Sequence, residues 1–390
     1  MDNYILIRGA RQLLTLHGAA GPRRGRSMKD LSIIEDGSVL IKNSEIAAVG
    51  PTRRLENLKE ARNAAVIPAT GRVVLPGFID ARLHLIPGRT SRTPRSNSVS
   101  KMAQEAAGVL RSALHHGTTR AEVKIGGGAA VDEVRHLRHM KHLDATGHEL
   151  IQTWVVQPAP DETPESSVRS REHAFEWLRK RGKSPFLEVV ANGNSVEAAR
   201  AVLRAAEHRG MTCKLAWRGR VDGPLTDLLG RFQFHTVTGL EHLEASTAEC
   251  LAKMETTFVF SGGSELWNKS DTRSVRAILD SGGAVAIASG YDAASSPVFN
   301  MQMVIAQAVL QMKMTAEEAI TAATINAAYA CGVDNRTGSL EYKKQADLLL
   351  LNLPDYRELP RQFGINHVGM AIRAGSVVFN RIGWKLARPV

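Results

Sequence analysis

The sequence predicts an α/β protein with a parallel-sheet barrel and a smaller β-domain, and three observations lead to this prediction. The chain has 390 residues, a length that fits a barrel of about 250 residues plus a second domain. From Pro76 to about Gly332, short apolar strands alternate with helical stretches, as in βαβ units. Both ends of the chain instead contain strand candidates separated by Gly, Asn and Pro.

The individual elements follow from apolar runs and turn residues. Strand candidates at the two ends are residues 4–7, 38–41, 46–49, 73–75, 346–351 and 376–379. In the middle, the strand 185–190 precedes a helix over 195–209, and a helix over 272–281 precedes the strand 284–288. The terminal strands pair most simply with one another. We therefore predict a composite β-sandwich domain from residues 1–75 and 338–390, and a barrel over residues 76–337.

Composition excludes several classes of partner. The net charge is +11, but the basic residues are scattered and aromatic residues make up only 5% of the chain, without the interleaving that stacking on bases requires. The three cysteines lie far apart and form no metal-binding motif, which favours a reducing compartment. No apolar run reaches the length of a membrane span, and the N-terminus has no signal-peptide pattern. We expect a cytoplasmic protein that binds neither nucleic acid nor a membrane.

The most informative stretch is the first predicted barrel strand, which ends Asp80-Ala81-Arg82-Leu83-His84. Residues i and i+2 of a strand point to the same face, so a His-x-His pair there would aim two imidazoles at one ion. Arg82 fills the first of these positions. A guanidinium has no lone pair to donate and repels a cation. The strand therefore provides one imidazole, that of His84, where a metal site would need two.

A series of motifs runs through nearly the whole chain in a fixed order. They lie at residues 33–37, 71–80, 116–124, 241–244, 314–319, 324–328 and 338–348. In order and spacing the chain resembles the imidazolonepropionases, within the amidohydrolase superfamily. The resemblance implies a distorted (β/α)₈ TIM barrel plus a β-sandwich built from both termini. It also implies a dimer and one metal ion that hydrolyses a cyclic imidazolone of histidine breakdown.

The functional residues that the resemblance implies differ from those present. The family pattern places His-x-His where this chain has Arg82 and His84, and Lys-His-Ala-x-Glu where it has Lys-Leu-Ala-Trp-Arg at 214–218. Gly290 stands at the position of a metal-binding aspartate, and residues 154–162 lack the substrate-binding histidine. Three of four expected ligands are thus replaced, whereas zinc sites use at least three protein ligands. We predict no metal and no other cofactor.

Three residues are the candidates for catalysis. His242 keeps its family context at 241–244 and is able to act as a general acid or base without a metal. Lys124 and Glu122 alternate on one face of the second barrel strand and are its candidate partners. An ion pair between Glu122 and Lys124 is an equally good interpretation.

Four further residues are candidates for binding a substrate: Arg82, His84, Arg120 and Asp292. Arg82 either holds a ligand carboxylate through two hydrogen bonds or pairs with Asp80 on its own strand. His84 is more simply a hydrogen-bonded core histidine. Arg120 shares its strand face with Glu122, and this face is predicted to lie near the C-terminal mouth of the barrel, where barrel enzymes bind substrates.

Two functions fit these observations. The first is a metal-free homologue, catalytically inactive or using His242, that binds a small anionic or cyclic-amide ligand, as a homodimer. The alternative is a metal-dependent hydrolase of cyclic-amide C–N bonds with a ligand set that the motifs do not show. The resemblance implies that the loop 87–100 covers the active site and contributes an arginine to the substrate carboxylate, and it does not identify Arg89, Arg92 or Arg95 as that arginine. His136, His139 and His142 recur at helix spacing, where an exposed basic helix is a simpler interpretation than a new metal site.

Overall fold

The computed structural model describes residues 3–85, 99–126, 150–172, 175–176, 186–240, 243–263, 272–292 and 296–383. This part of the chain forms two sheets and two compact units. The terminal unit comprises residues 1–80, 111–120 and 300–390, and the barrel unit comprises residues 81–110 and 121–299.

The described strands have the following bounds: β1 (Tyr4–Leu14), β2 (Ile33–Lys42), β3 (Glu45–Pro51), β4 (Ala65–Pro68), β5 (Val73–Pro76), β6 (Phe78–His84), β7 (Thr118–Gly126), β8 (Leu150–Val156), β9 (Phe186–Ala191), β10 (Thr212–Trp217), β11 (Thr236–Thr238), β12 (Thr257–Ser261), β13 (Ala284–Ala288), β14 (Tyr291–Asp292), β15 (Leu348–Leu351), β16 (Val368–Arg373) and β17 (Ser376–Asn380).

The described helices are α1 (Thr52–Leu55), α2 (Lys59–Arg62), α3 (Val99–His115), α4 (Pro164–Arg169), α5 (Val196–Glu207), α6 (Gly223–Arg231), α7 (Ala245–Ala252), α8 (Arg273–Asp280), α9 (Met301–Leu310), α10 (Ala316–Ala323) and α11 (Ile325–Ala330). Short 3₁₀ turns occupy Gly25–Lys29, Gly193–Ser195 and Tyr356–Glu358. Within the described ranges, no helix is long and apolar enough to cross a membrane.

The terminal unit contains an eight-stranded sheet built from both ends of the chain. Its strand order is β17-β16-β15-β5-β1-β2-β3, with β4 beside β1. Strand β15 pairs with β5 in antiparallel register, so that Leu350 lies opposite Val74. Alternate residues of these strands enter one apolar core, which includes Ile5 and Ile7 of β1. The prediction that the C-terminal strands pair with the N-terminal ones is confirmed.

The barrel sheet runs in the order β13-β12-β11-β10-β9-β8-β7-β6-β14. The strands from β7 to β13 pair in parallel, as the βαβ pattern predicts. Strand β14, which follows β13 in the chain, pairs with β6 through Tyr291 opposite Leu83. The chain that leaves the eighth strand thus returns to the first, which is the strand order of a (β/α)₈ barrel.

Strand alternation decides which side chains enter the barrel. Odd-numbered residues of β6 and β7, among them Leu83, Val123 and Ile125, pack with Leu110 of α3 in one apolar cluster. Because successive side chains point to opposite faces, the even-numbered residues of these two strands face the barrel interior.

The compact units divide the chain differently from the predicted boundary at residue 338. Helices α9 to α11 belong to the terminal unit, and hydrogen bonds explain why. The Thr321 hydroxyl donates to the carbonyl of Met28 at 2.8 Å. The Asn326 side chain accepts from the backbone N–H of Arg23 at 2.7 Å and donates to its carbonyl at 2.9 Å. These buried contacts join the helices to the N-terminal segment, a pairing that strand patterns do not reveal.

Candidate functional site

Five charged side chains from four strands meet inside the barrel. Arg82 comes from β6, Glu122 and Lys124 from β7, Glu188 from β9 and Lys214 from β10. All five occupy even-numbered, interior-facing positions. We call them the ion-pair chain, because each is joined to the next by a charged hydrogen bond.

The order of the ion-pair chain is Arg82, Glu188, Lys124, Glu122, Lys214. Arg82 Nη1 donates to both oxygens of Glu188, at 2.8 Å each. Lys124 Nζ lies 2.7 Å from Glu188 Oε2 and 3.0 Å from Glu122 Oε1. Lys214 Nζ lies 2.6 Å from Glu122 Oε1. Three cations therefore alternate with two carboxylates along the chain.

Other interior side chains complete the environment of Glu122 and Lys214. The Thr153 hydroxyl donates a short hydrogen bond to Glu122 Oε1. The Lys214 ammonium lies 3.9 Å from the centroid of the Phe186 ring, a cation–π distance. Thr153 and Phe186 are directly paired across β8 and β9, which brings these contacts to one level of the barrel.

Exposure differs along the ion-pair chain. The Lys124, Glu122, Glu188 and Lys214 side chains are at most 2% exposed, whereas that of Arg82 is 14% exposed. Buried charges are tolerated only when they are paired and hydrogen-bonded. Arg82 is accordingly the member of the chain that solvent, or a ligand, reaches most readily.

The neighbouring cations keep both glutamates ionised. Burial by itself disfavours the charge of Glu188, but Arg82 and Lys124 outweigh burial and hold its pKa well below the ordinary range. Burial likewise opposes ionisation of Glu122, and Lys124 and Lys214 outweigh it, so that its pKa is also lowered. Neither carboxylate is a proton acceptor near neutral pH in this arrangement.

His84 and Asp292 lie side by side near the ion-pair chain. They are directly paired residues of β6 and β14. Burial, and then the positive charge of Arg82, lower the pKa of His84 to about 4, although Glu188 and Asp292 act in the opposite direction. His84 is therefore neutral at pH 7. The structure brings together Arg82, His84 and Asp292, three of the four predicted substrate-binding residues.

The lowered pKa of His84 predicts a pH-dependent stability. The unfolded chain binds a proton at His84 below about pH 6.5, and the folded protein does so only below about 4. The contribution of His84 to the unfolding free energy is therefore fully present above pH 6.5 and is lost as the pH falls towards 4. Between pH 7 and pH 5 this loss amounts to about 2 kcal/mol. In urea titrations, we expect the fall in unfolding free energy from pH 7 to pH 5 to be smaller by this amount in His84→Gln.

The exposed His208, at the C-terminal end of α5, provides the matched control for that measurement. His208→Gln is expected to leave the difference in unfolding free energy between pH 7 and pH 5 as in the unsubstituted protein. If both substitutions reduced the pH dependence of the unfolding free energy equally, the assignment to His84 would be contradicted.

The register of β10 corrects one correspondence drawn from the sequence. Lys214 reaches Glu122 inside the barrel, and Ala216 packs with Val155 and Val190 in an interior apolar cluster. Leu215 lies between them and so points to the opposite face, where it is fully buried. The interior of β10 thus carries Lys214, and Leu215 does not stand at an interior ligand position.

Arg120 does not lie near the C-terminal mouth of the barrel. It is the third residue of β7, at the N-terminal end of the strand, and belongs to the terminal unit. Its Nε donates to Asp347 Oδ2 at 2.6 Å, and Nη2 makes a short hydrogen bond to Gln345. The predicted position was wrong because Arg120 lies six residues, about 20 Å, before the C-terminal end of this strand. The assignment of Arg120 to substrate binding remains untested.

Glu188 is a central residue of the ion-pair chain that the sequence patterns did not predict. It accepts hydrogen bonds from two cations and is fully buried. A signal was present, since a single carboxylate interrupts the apolar run Phe-Leu-Glu-Val-Val at 186–190. A buried charge of this kind needs a partner. The alternative pairing predicted for the β7 residues, between Glu122 and Lys124, is present at 3.0 Å.

Several predicted residues lie outside the described part of the chain. These are His242, the arginines at 89, 92 and 95, and the histidines at 136, 139 and 142. The role predicted for His242 remains a prediction.

The described residues do not form a binding set for the metal ion that the family pattern implies. Within the described ranges, no three His, Cys, Asp or Glu side chains come together as a metal-binding set. His84 and Asp292 are two donors, but Glu188 and Glu122 already accept hydrogen bonds from ammonium and guanidinium groups. A divalent cation here would lie beside three fixed positive charges.

The sequence of this chain is similar to sequences of one known protein family. Residues 231–378 match the Amidohydrolase family. An imidazolonepropionase of Geobacillus kaustophilus is 30% identical over 96% of this chain and 98% of its own length. One of Solibacter usitatus is 31% identical over 95% and 97%. The chain belongs to the imidazolonepropionase-like amidohydrolases.

Solved structures show the same fold as this chain. A triazine hydrolase from Arthrobacter aurescens superimposes with a TM-score of 0.76 and 16% identity, over 99% of this chain and 97% of that protein. At this identity the likeness concerns the fold alone. The imidazolonepropionase-like chain thus has the fold of a hydrolase, and its ion-pair chain lies inside the barrel of that fold.

Proposed function

We propose that this imidazolonepropionase-like protein binds a small anionic cyclic-amide ligand at the barrel mouth without a metal ion. The observation that carries the proposal is the ion-pair chain, in which fixed cations occupy the barrel interior. Arg82, at its most exposed end, is the residue that contacts the ligand carboxylate. A guanidinium suits this task because its planar donors match the two oxygens of a carboxylate.

A second arginine supports an anionic ligand. Arg218 follows the end of β10 and is only partly exposed. Burial, and then the positive charge of Arg82, lower the pKa of Arg218. Glu188 acts on Arg218 in the opposite direction, and an anion bound beside the two arginines would likewise offset the repulsion between their charges.

The neighbouring interior surface supports a ligand with an apolar or planar body. Val155, Val190 and Ala216 form one apolar cluster on strands β8, β9 and β10. Val190 and Ala216 each follow a member of the ion-pair chain by two residues, towards the C-terminal end of their strand. A ligand anchored at Arg82 would lie with its body towards this cluster, since binding sites of barrels are at this end.

Two probes of matched shape test the proposal by calorimetry: hydantoin-5-propionate, which is a cyclic amide with a carboxylate, and hydantoin-5-propionamide, its uncharged amide. We expect the anionic probe to bind at least about tenfold more tightly, and Arg82→Met to remove most of that difference. Arg231→Met, which removes an exposed arginine from α6, is the control and is expected to leave both affinities unchanged. Equal binding of both probes by the unsubstituted protein would refute the anionic site.

Metal analysis and a ring-opening assay test whether a metal is involved. We expect purified protein to retain less than stoichiometric zinc, iron or manganese after dialysis, and probe affinity to be unchanged by a chelator. If opening of an imidazolone ring is detected, the proposal requires that it persist with chelator present. His242→Ala then tests the catalytic role of His242, and the buried Lys124 and Glu122 remain its candidate partners.

A metal-dependent hydrolase of cyclic-amide C–N bonds is the second candidate, and one observation favours it. His84 is neutral at pH 7 and is directly paired with Asp292 on the neighbouring strand, so two residues of metal-binding type lie side by side. The similarity to imidazolonepropionases over nearly the full chain points to the same reaction. A stoichiometric metal that is lost in His84→Gln, together with chelator-sensitive ring opening, would establish this function in place of the first.

The assembly and location of the protein remain proposals. We propose a cytoplasmic homodimer that binds neither nucleic acid nor membranes. Sedimentation of the purified protein tests whether it is a dimer. A titration with duplex DNA at physiological salt tests whether the scattered basic residues bind nucleic acid.

A further inference from the structure

Lys124 holds the position of a bound cation. Its single ammonium lies within 3.0 Å of carboxylate oxygens from two different strands, those of Glu188 and Glu122. All three side chains are almost completely removed from solvent. Two carboxylates that share one buried site repel each other, and a cation between them offsets that repulsion.

The charges around this ammonium define what kind of cation fits. Arg82 already pairs with Glu188, and Lys214 with Glu122. In the ion-pair chain these four charges cancel, so that Lys124 contributes one further positive charge. The position also calls for N–H donors, since the ammonium bridges two acceptors at hydrogen-bond distance. A primary ammonium meets both conditions, whereas a divalent ion would add a second charge beside Arg82 and Lys214.

We propose that Lys124 is the resident cation of the barrel: its ammonium holds Glu188 and Glu122 in place and, through Glu188, positions the guanidinium of Arg82. When the lysine side chain is shortened, a free primary ammonium ion takes its place. Lys124 is thus a positioning residue in this inference. The inference goes beyond the proposed function, because it concerns the site before any ligand is bound.

The test uses Lys124→Ala in the full chain and n-propylammonium chloride, which has the three carbons and the nitrogen that the substitution removes. We expect Lys124→Ala to lower the melting temperature by about 5–15 °C, as for breaking a buried ion pair. Propylammonium is expected to restore at least half of that loss with a saturable concentration dependence. Tetramethylammonium chloride at the same ionic strength has no N–H donor and is expected to restore nothing.

Two variants separate this role from a general loss of packing. Lys124→Met fills the space with an apolar side chain, so its melting temperature should fall without rescue by propylammonium. Lys253→Ala removes an exposed lysine of the same unit and should show neither loss nor rescue. If Lys124→Ala does not fold alone, the yield of refolding from urea with and without propylammonium becomes the measurement, with the same expectation.

Three outcomes would overturn the inference. The first is the absence of saturable rescue in both measurements, and the second is equal rescue by tetramethylammonium. The third is stronger stabilisation of Lys124→Ala by zinc or manganese than by propylammonium, which would assign the position to a divalent ion instead. None of these readouts uses the hydantoin probes, so the failure of ligand binding at Arg82 is distinguishable from the failure of this inference.

Discussion

Glu188→Gln is expected to destabilise the barrel unit by about 3–5 kcal/mol, the cost of breaking a buried ion pair while its partners stay buried. Glu188 accepts from Arg82 through both oxygens and from Lys124 at 2.7 Å. Glutamine keeps the volume and one acceptor oxygen but removes the charge. Arg82 and Lys124 would then share a buried site without the carboxylate that lies between them.

The measurement for Glu188→Gln is the unfolding free energy from urea titration at pH 7. The matched control is Glu197→Gln on α5, where the glutamate is 66% exposed and pairs with Arg200 at 2.8 Å. We expect the control to cost less than about 1 kcal/mol, because exposed ion pairs contribute little. If both variants lost an equally small amount of unfolding free energy, the buried charges would not stabilise one another, contrary to what their distances imply.

The second large effect is expected in the terminal unit, where Arg120→Met should cost about 3–5 kcal/mol. Arg120 and Asp347 are both buried, and the guanidinium Nε lies 2.6 Å from Asp347 Oδ2. The carboxylate also accepts from the Thr337 hydroxyl at 3.2 Å and from the backbone N–H of Ala374 at 2.7 Å. Losing Arg120 leaves Asp347 charged and buried, and weakens the support that it gives to the turn at Ala374.

This substitution also decides the role predicted for Arg120. If the arginine is structural, Arg120→Met lowers the unfolding free energy and leaves the affinity for hydantoin-5-propionate unchanged. Arg361→Met is the control, because that guanidinium is 73% exposed and 3.5 Å from Glu358; its effect should stay within about 1 kcal/mol. A large loss of affinity in folded Arg120→Met protein would instead support the substrate-binding prediction.

Much of the fold could be predicted because its signals are local. The apolar run at 284–288 and the strands at both chain ends lie where the turn residues and strand periodicity placed them. The pairing of β15 with an N-terminal strand could also be predicted, because the strands at the two chain ends pair most simply with one another. The unit boundary did not follow, because hydrogen bonds such as Asn326 to Arg23 join residues 303 positions apart.

The candidate site was predictable only in part, for a related reason. Strand alternation placed Arg82 and His84 on one face, and Glu122 with Lys124 on another strand. It did not identify Glu188 as the acceptor for Arg82, which is 106 residues away in the sequence. Nor did comparison of motifs reveal that Lys214, and not Leu215, faces the interior.

The sequence by itself determined the fold class, the family and the residue types available at the barrel mouth, because strand periodicity and motif order are properties of neighbouring residues. Only the tertiary structure decided which charge pairs with which. An ion pair depends on the register and curvature of strands far apart in the chain, and it was the closing of the barrel that brought Arg82, Glu188, Lys124, Glu122 and Lys214 into one buried chain.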